Sequence, residues 1–425
     1  MNRPVALACY FIIALIFLSA ACEKNPTDGD DNGIPTTMPQ EHIPWPSLAD
    51  SPWPMYRHDP QGTGRSQYVG PQLGEIVFTF GDTIHVWGSV VIGNNGTLYF
   101  VSSDNLETRL YAVNPSGQLL WRTLIATSYG PMVENPVTPT VASNGIIYVS
   151  ASDFHIGAHF GKIHAVRSDG SIDWTYEVDE SVYSNIVLDL QGNLYFLTAE
   201  SNKLISLTPG GTLRWELSVP DGFHNSHQAP VFSPDGSVMY TGGSDSLYAI
   251  TTDGEILWGY HTFSFFHSNL VDNDGNIYFY NPGDSCFTSL NSAGEINWRT
   301  HIDTLNLLRV PETLAHTLDL DGNIYFIGVN NYSKGEIISL RGIDGSIRWK
   351  LIVNGLQTDL VSDGSSIYVG GVLTISCIST EGQILWQVEP PQGAYHIYNG
   401  PAIDSDGICY FPVLWSPVIQ VIGVR

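Results

Sequence analysis

Seven of the 11 tryptophans in this 425-residue chain occupy one place of a repeating unit, and that periodicity decides what the chain can fold into. The segments AVNPSGQLLW, AITTDGEILW and CISTEGQILW end at Trp121, Trp258 and Trp386, and Trp174, Trp215, Trp298 and Trp349 fill the same place in the other units. Successive spacings are 53, 41, 43, 40, 51 and 37 residues. A second marker recurs eight times: a Gly three or four residues before a Tyr, at Tyr99, Tyr148, Tyr195, Tyr240, Tyr278, Tyr325, Tyr368 and Tyr410. Each period offers four short strand-like runs separated by turns such as Thr-Asp-Gly, where Gly supplies left-handed backbone without steric penalty. Periods of this length with four strands each are the mark of a β-propeller. The expected fold is all-β, an eight-bladed β-propeller of four-stranded antiparallel blades over residues 51–425.

Five residues before each turn Gly stands a small side chain: Ala112, Ala165, Ser206, Ala249, Ser289 and Cys377, with Ser339 matching in the unit whose turn is one residue longer. A large indole and a small partner at fixed places let neighbouring sheets pack closely, so these tryptophans are expected to dock blade on blade. As core residues, each would cost about 3–5 kcal/mol on truncation to Ala. Gly74-Glu75-Ile76-Val77-Phe78 matches Gly254-Glu255-Ile256-Leu257-Trp258, which puts Phe78 in the Trp place ahead of the first full unit. The last unit has no Trp strand of its own. Residues 75–80 should therefore complete the blade built from residues near 395–425, closing the ring and removing two sheet edges.

Residues 1–21 read as an export signal: one Arg, an apolar run from Tyr10 to Phe17, then Ser19, Ala20 and Ala21. Leu18-Ser19-Ala20-Ala21-Cys22 resembles the lipobox of bacterial lipoproteins, which implies acylation of Cys22 and a membrane held only through that anchor. Ser19 departs from that pattern, and ordinary signal cleavage near Ala21 is the alternative. Residues 22–50, rich in Pro, Asp, Asn, Thr and Gly, are expected to be a solvated, disordered tether. With 42 Asp+Glu against 17 Lys+Arg the formal net charge is −25, which argues against nucleic acid as a partner.

The repeats look like those of the pyrroloquinoline-quinone-type propellers over roughly residues 53–425. The opening Trp53-Pro54-Met55-Tyr56-Arg57-His58-Asp59, continuing through Gly62-Thr63-Gly64-Arg65, resembles the lead-in of exported bacterial members. The resemblance implies one of three branches: quinone-dependent alcohol dehydrogenases, a propeller lipoprotein of the outer-membrane barrel-assembly machinery, or exported propellers of unassigned role. The dehydrogenase branch implies an adjacent Cys-Cys pair over the quinone and a calcium ion. This sequence has no such pair, and Cys286, Cys377 and Cys409 fall in separate predicted strands, so no cofactor is expected.

Other constellations are weaker. Asp272-Asn273-Asp274-Gly275, Asp319-Leu320-Asp321-Gly322 and Asp404-Ser405-Asp406-Gly407 faintly echo calcium loops, but each runs straight into a strand as a hairpin turn does. His155, His159 and His164, and the pair His224 and His227, lack the companions of a zinc site, and no metal is expected. Counting back from each unit's Gly gives a candidate polar channel lining of Ser89, Thr138, Asn185, Gln228, His267, Asn269, His316, Asp359 and Asn399. Insertions in the longer second and sixth units carry Tyr129, His155, Phe160, Arg309 and Tyr332, a candidate protein-binding surface because aromatics and Arg concentrate binding energy. The functional expectation is a non-catalytic, monomeric binding scaffold whose partners are proteins of a bacterial envelope. A cofactor binder at the channel mouth and a cell-wall or carbohydrate binder are the alternatives.

Overall fold

Every repeat folds as a small antiparallel sheet, and eight sheets ring one axis as the periodicity requires. The computed structural model describes residues 37–425 except 82–84, 87, 104–105, 128–136, 156–157, 183, 200–202, 219–229, 243–244, 263–268, 282, 303–315, 332–333, 355–357, 372–373, 392–396, 398 and 414–419. Blade 5 shows the pattern: inner strand Asn269–Val271, then Ile277–Asn281, Cys286–Leu290 and outer strand Ile296–His301. Blades 1 to 7 follow chain order from Val91–Ile92 to Ile384–Val388. Blade 1 carries one strand more than expected, His85–Val86, paired with Ser102–Ser103.

Blade 8 is built from both ends of the chain. Ala402–Ile403, Cys409–Pro412 and Val421–Val424 supply three strands, and Ile76–Phe80 pairs with the last of them, Ile76 opposite Val424 and Phe80 opposite Val421. The closure read from the Phe78 match is the one observed. Gly423 stands opposite Phe78, and a Cβ built on it would lie 2.6 Å from that of Phe78, so Gly423 takes the small-residue place of this blade.

Across the three outer strands of each blade, the repeat markers line up in one row. In blade 5, Tyr278 faces Ser289, and Ser289 faces Trp298; in blade 4 the row is Tyr240, Ala249, Trp258. The small side chain leaves the two rings facing each other over it, with centroids 5.7–6.2 Å apart in blades 1 to 7. In every blade a one-residue bulge precedes the Trp or Phe, so the outer strand turns its ring toward the next blade. There the indole N–H donates to a turn carbonyl: Trp258 to Ser292 at 3.0 Å, Trp298 to Gly342 at 2.7 Å, Trp349 to Thr380 at 2.8 Å. The ring covers the turn glycine. Gly294 needs to be Gly twice over, for its φ of +81° and because a Cβ would sit 2.8 Å from the Trp258 ring.

The repeat aromatics divide their work differently from the sequence expectation. The tyrosines are the buried core, with Tyr195, Tyr325 and Tyr368 at 0% exposure, whereas the seven docking tryptophans are only partly buried at the rim of the ring. Five of the Tyr hydroxyls also donate to buried or half-buried carboxylates, as Tyr278 does to Asp272 at 2.7 Å. Truncating Tyr278 to Ala should therefore cost about 3–5 kcal/mol, from a cavity plus an orphaned carboxylate. Trp298→Ala should cost less, about 1–3 kcal/mol, the reverse of ranking by ring size. Urea unfolding of the two variants measures the order.

Candidate functional site

The segment expected to be a solvated tether through residue 50 instead lies on the ring from Met38 onward. Its backbone and side chains find partners that a low-complexity reading did not anticipate. Met38 and Gln40 donate their N–H groups to Asp321 and Leu320 of blade 6, and the Trp45 indole donates to the Leu188 carbonyl of blade 3 at 2.8 Å. Ser47 accepts from the Ser143 N–H of blade 2, and Ser51 donates to the Ile92 carbonyl of blade 1. This strap thus runs over the turns that join inner strands to their neighbours.

The chain then doubles back through the lead-in, Trp53 to Arg65, along the inner strands. The carbonyls of Trp53, Pro54, Pro60, Gln61 and Gly64 accept N–H groups from Ile92, Val141, Phe232, Val271 and Ser362, at 2.8–2.9 Å. Those donors belong to blades 1, 2, 4, 5 and 7, and Thr317 of blade 6 adds a hydroxyl bond to Thr63. Inner-strand edges that would otherwise face the axis are satisfied by this plug. Gly62 and Gly64 take positive φ to make the turn, and Arg57 and His58 do so as non-glycine residues, at +58° and +73°. That strain is held by contacts on all sides: the Arg57 guanidinium donates to the carbonyls of Asn269 and His316, and the Asp59 carboxylate accepts from the Thr63 N–H and hydroxyl. Burial opposes ionisation of Asp59, but the bonds from His58 and Thr63 outweigh it and hold the carboxyl below its ordinary range.

The candidate channel lining consequently does structural work. Ser89 N–H bonds the Thr138 hydroxyl and Thr138 N–H bonds the Asn185 side-chain oxygen, tying blades 1, 2 and 3 in sequence. Asn269 donates to the Tyr240 carbonyl, and Asp359 accepts from the buried Tyr56 hydroxyl of the plug at 2.7 Å. Asn399 is half-buried beside the inner strand of blade 8. His316 meets the plug through its backbone carbonyl and not its imidazole. Its ring packs edge-on against Phe287 and Phe326, with centroids 5.0 and 5.9 Å away. Gln228 and His267 lie outside the described residues, as do Tyr129, Arg309, Tyr332 and Cys22. Tyr56 and Arg57, which contact the lining directly, were missed as site residues; the aromatic and charged run of the lead-in, outside every repeat, was the available signal.

The three Asp-x-Asp-Gly-type motifs are hairpin turns between inner strands and their partners. Asp272 accepts from the backbone of Asp274 and Asn276, the Asn276 amide and the Tyr278 hydroxyl, so both oxygens are occupied. Among the described residues no cluster of three His, Cys, Asp or Glu has metal-ligating geometry. Cys286, Cys377 and Cys409 are buried cysteines on blades 5, 7 and 8, none of them disulfide-bonded, and the Cys286 thiol bonds the Asp284 carbonyl.

At the opposite end of the ring two blades stand taller than the rest. The middle hairpin of blade 2 pairs Ile147–His155 with Ala158–Val166, and that of blade 6 pairs Asn323–Asn331 with Lys334–Arg341. These strands have eight or nine residues, against four to seven in the other blades. The insertions around Phe160 and Tyr332 thus extend hairpins, those carrying Tyr129 and Arg309 lying outside the described residues, and three or four further residues lengthen each hairpin by about 10 Å. Blades 2 and 6 are four places apart in a ring of eight, so the two hairpins rise across the axis from each other. Phe160, at 42% exposure, sits on the first; the His155 side chain lies outside what is described.

Fold and site define an eight-bladed propeller with an occupied axis and a raised rim. Residues 106–221 and 201–410 match the family model described as outer membrane protein assembly factor BamB, and the chain belongs to that family of pyrroloquinoline-quinone-like propellers. The chain is similar to several solved structures. Quinohemoprotein alcohol dehydrogenase from Comamonas testosteroni is 11% identical, with 87% of this chain and 80% of that one covered at a TM-score of 0.65. BamB from Moraxella catarrhalis is 16% identical over 68% of this chain and 97% of its own, at 0.43. Virginiamycin B lyase from Staphylococcus aureus is also 16% identical, over 68% and 92%, at 0.48. No curated protein sequence matches the chain.

His316 gives the fold a testable acid limb. Burial, with the Arg57 charge adding to it, pushes its pKa from the ordinary 6.5 down to about 3. Between those values the unfolded chain binds a proton that the folded chain does not, so stability is complete above about pH 6.5 and falls toward pH 3, by up to about 1.4 kcal/mol per unit. Buried Asp272, Asp319 and Asp404, whose carboxyls burial raises, act in the opposite sense. His316→Gln should flatten the decline, read from melting temperatures between about pH 7 and 4.

Proposed function

We propose that this chain is a non-catalytic scaffold of a bacterial envelope, anchored through an acylated Cys22 and binding other proteins through the raised rim opposite the plug. The observation that carries the reading is the match to the outer membrane assembly factor family over residues 106–410. The rim supports it: two hairpins longer than those of the other blades rise on opposite sides of the ring, and one presents an exposed aromatic, Phe160, of the kind that concentrates binding energy. The structural likeness to a quinohemoprotein dehydrogenase extends to the fold alone. The residues do not fit a quinone, because the thiols lie on three different blades and the plug's Tyr56 and Arg57 fill the end of the axis against Asp359, Asn269 and His316.

In vivo cross-linking followed by purification should recover envelope proteins in complex with the chain, and Phe160→Asp should reduce that yield about tenfold while leaving the melting temperature unchanged. Cys22→Ser should abolish labelling by a radioactive fatty acid. Dye-linked alcohol oxidation on adding quinone and calcium would overturn the scaffold reading.

A further inference from the structure

The bulge before each docking aromatic places one side chain on the outer flank of every blade, and these side chains are not alike around the ring. Blades 2, 3, 5 and 6 have Asp173, Arg214, Asn297 and Arg348 there and blade 4 has an isolated Leu257, whereas blades 7, 8 and 1, which are consecutive, all have aliphatic residues, Leu385, Val77 and Leu120. Three of the polar ones fold back into their own blade: Arg214 donates to the Tyr195 and Ser206 hydroxyls, Arg348 to those of Tyr325 and Ser339, and Asn297 to that of Ser289. The three consecutive aliphatic residues are 54%, 45% and 51% exposed. The connection from plug to blade 8 runs beside blades 7 and 8, against Tyr368, Trp386 and Gly407, and adds the exposed Val69 and Leu73, at 64% and 59%. The elements are contiguous: Gly74 packs on Trp386 of blade 7, the Val69 carbonyl faces Gly407 of blade 8, and Phe78 packs on Gly117 of blade 1.

We propose that this flank, across the seam where the ring closes, is a second docking surface for a different protein with an apolar centre and a cationic rim. Five half-exposed aliphatic side chains present on the order of 400 Å² of apolar surface, within the range that marks a functional patch on a soluble chain. That is short of the ~800 Å² per side of a standard interface, so polar contacts at the rim must complete it. Charge selects the partner. With 42 acidic and 17 basic residues, a second copy of the chain is repelled, and a surface rich in Lys and Arg is attracted. The flank is separate from the raised rim, so both can be engaged together.

The test is site-specific photo-cross-linking of the full-length chain in cells, with the probe placed in turn at 385, 77 and 120, and at 257 as a control. Leu257 is the equivalent bulge residue of blade 4, 52% exposed and flanked on both sides by blades with polar bulge residues. The expected result is one partner peptide, of net positive charge by mass spectrometry, captured from all three seam positions and not from 257. Leu120→Asp with Leu385→Asp should lower the capture from position 77 at least several-fold without lowering the melting temperature. Capture of the chain itself, of an acidic or uncharged peptide, of unrelated proteins at each position, or of nothing at the seam overturns the proposal. Phe160→Asp, which tests the rim, should leave seam capture unchanged.

Discussion

The ring holds because an indole can do two things at once at the border between sheets. Its face covers a glycine turn of the next blade while its N–H satisfies a carbonyl of that turn, so each border gains apolar burial and loses an orphan acceptor in one contact. The bulge aims the ring, the small residue makes room behind it, and the turn glycine admits it. Remove any of the three and the ring side chain has either no direction or no seat.

Because that contact requires several residue types at fixed separations, the architecture is legible in the sequence. Gly, Tyr, small residue, turn Gly and Trp recur with little variation, and even the departures are informative, since Phe78 and Gly423 hold the Trp and small-residue places of the blade that joins the chain ends. The bulge was less visible. It leaves no residue preference of its own, as Leu120, Asp173, Arg214 and Asn297 show, and only strand pairing reveals it. Trp burial was overestimated for a related reason: recurrence reports register and not depth.

The axis was the harder region to read. The described positions counted back from each Gly precede or open inner strands, and several of their polar atoms serve bonds between blades or meet the plug. The plug and strap carry no repeat, and their bonds are largely from backbone carbonyls, which any sequence has. A Pro-, Asp- and Thr-rich composition suggested solvation through residue 50, whereas single residues such as Trp45 anchor the second half of that stretch. Composition averages over such anchors and hides them.

Pairing of Ile76–Phe80 with Val421–Val424 also sets the order in which the molecule can be finished. Segments near the start of the chain, strap, plug and closing strand together, contact strands from every blade, so they find their full set of neighbours only after the last residues emerge. Blades 1 to 7 can each form from consecutive residues, while closure of the wheel carries the largest loop entropy in the chain. Assembly is thereby late and all-or-none at the border between blades 8 and 1, and a chain that loses its final strand forfeits its first one as well.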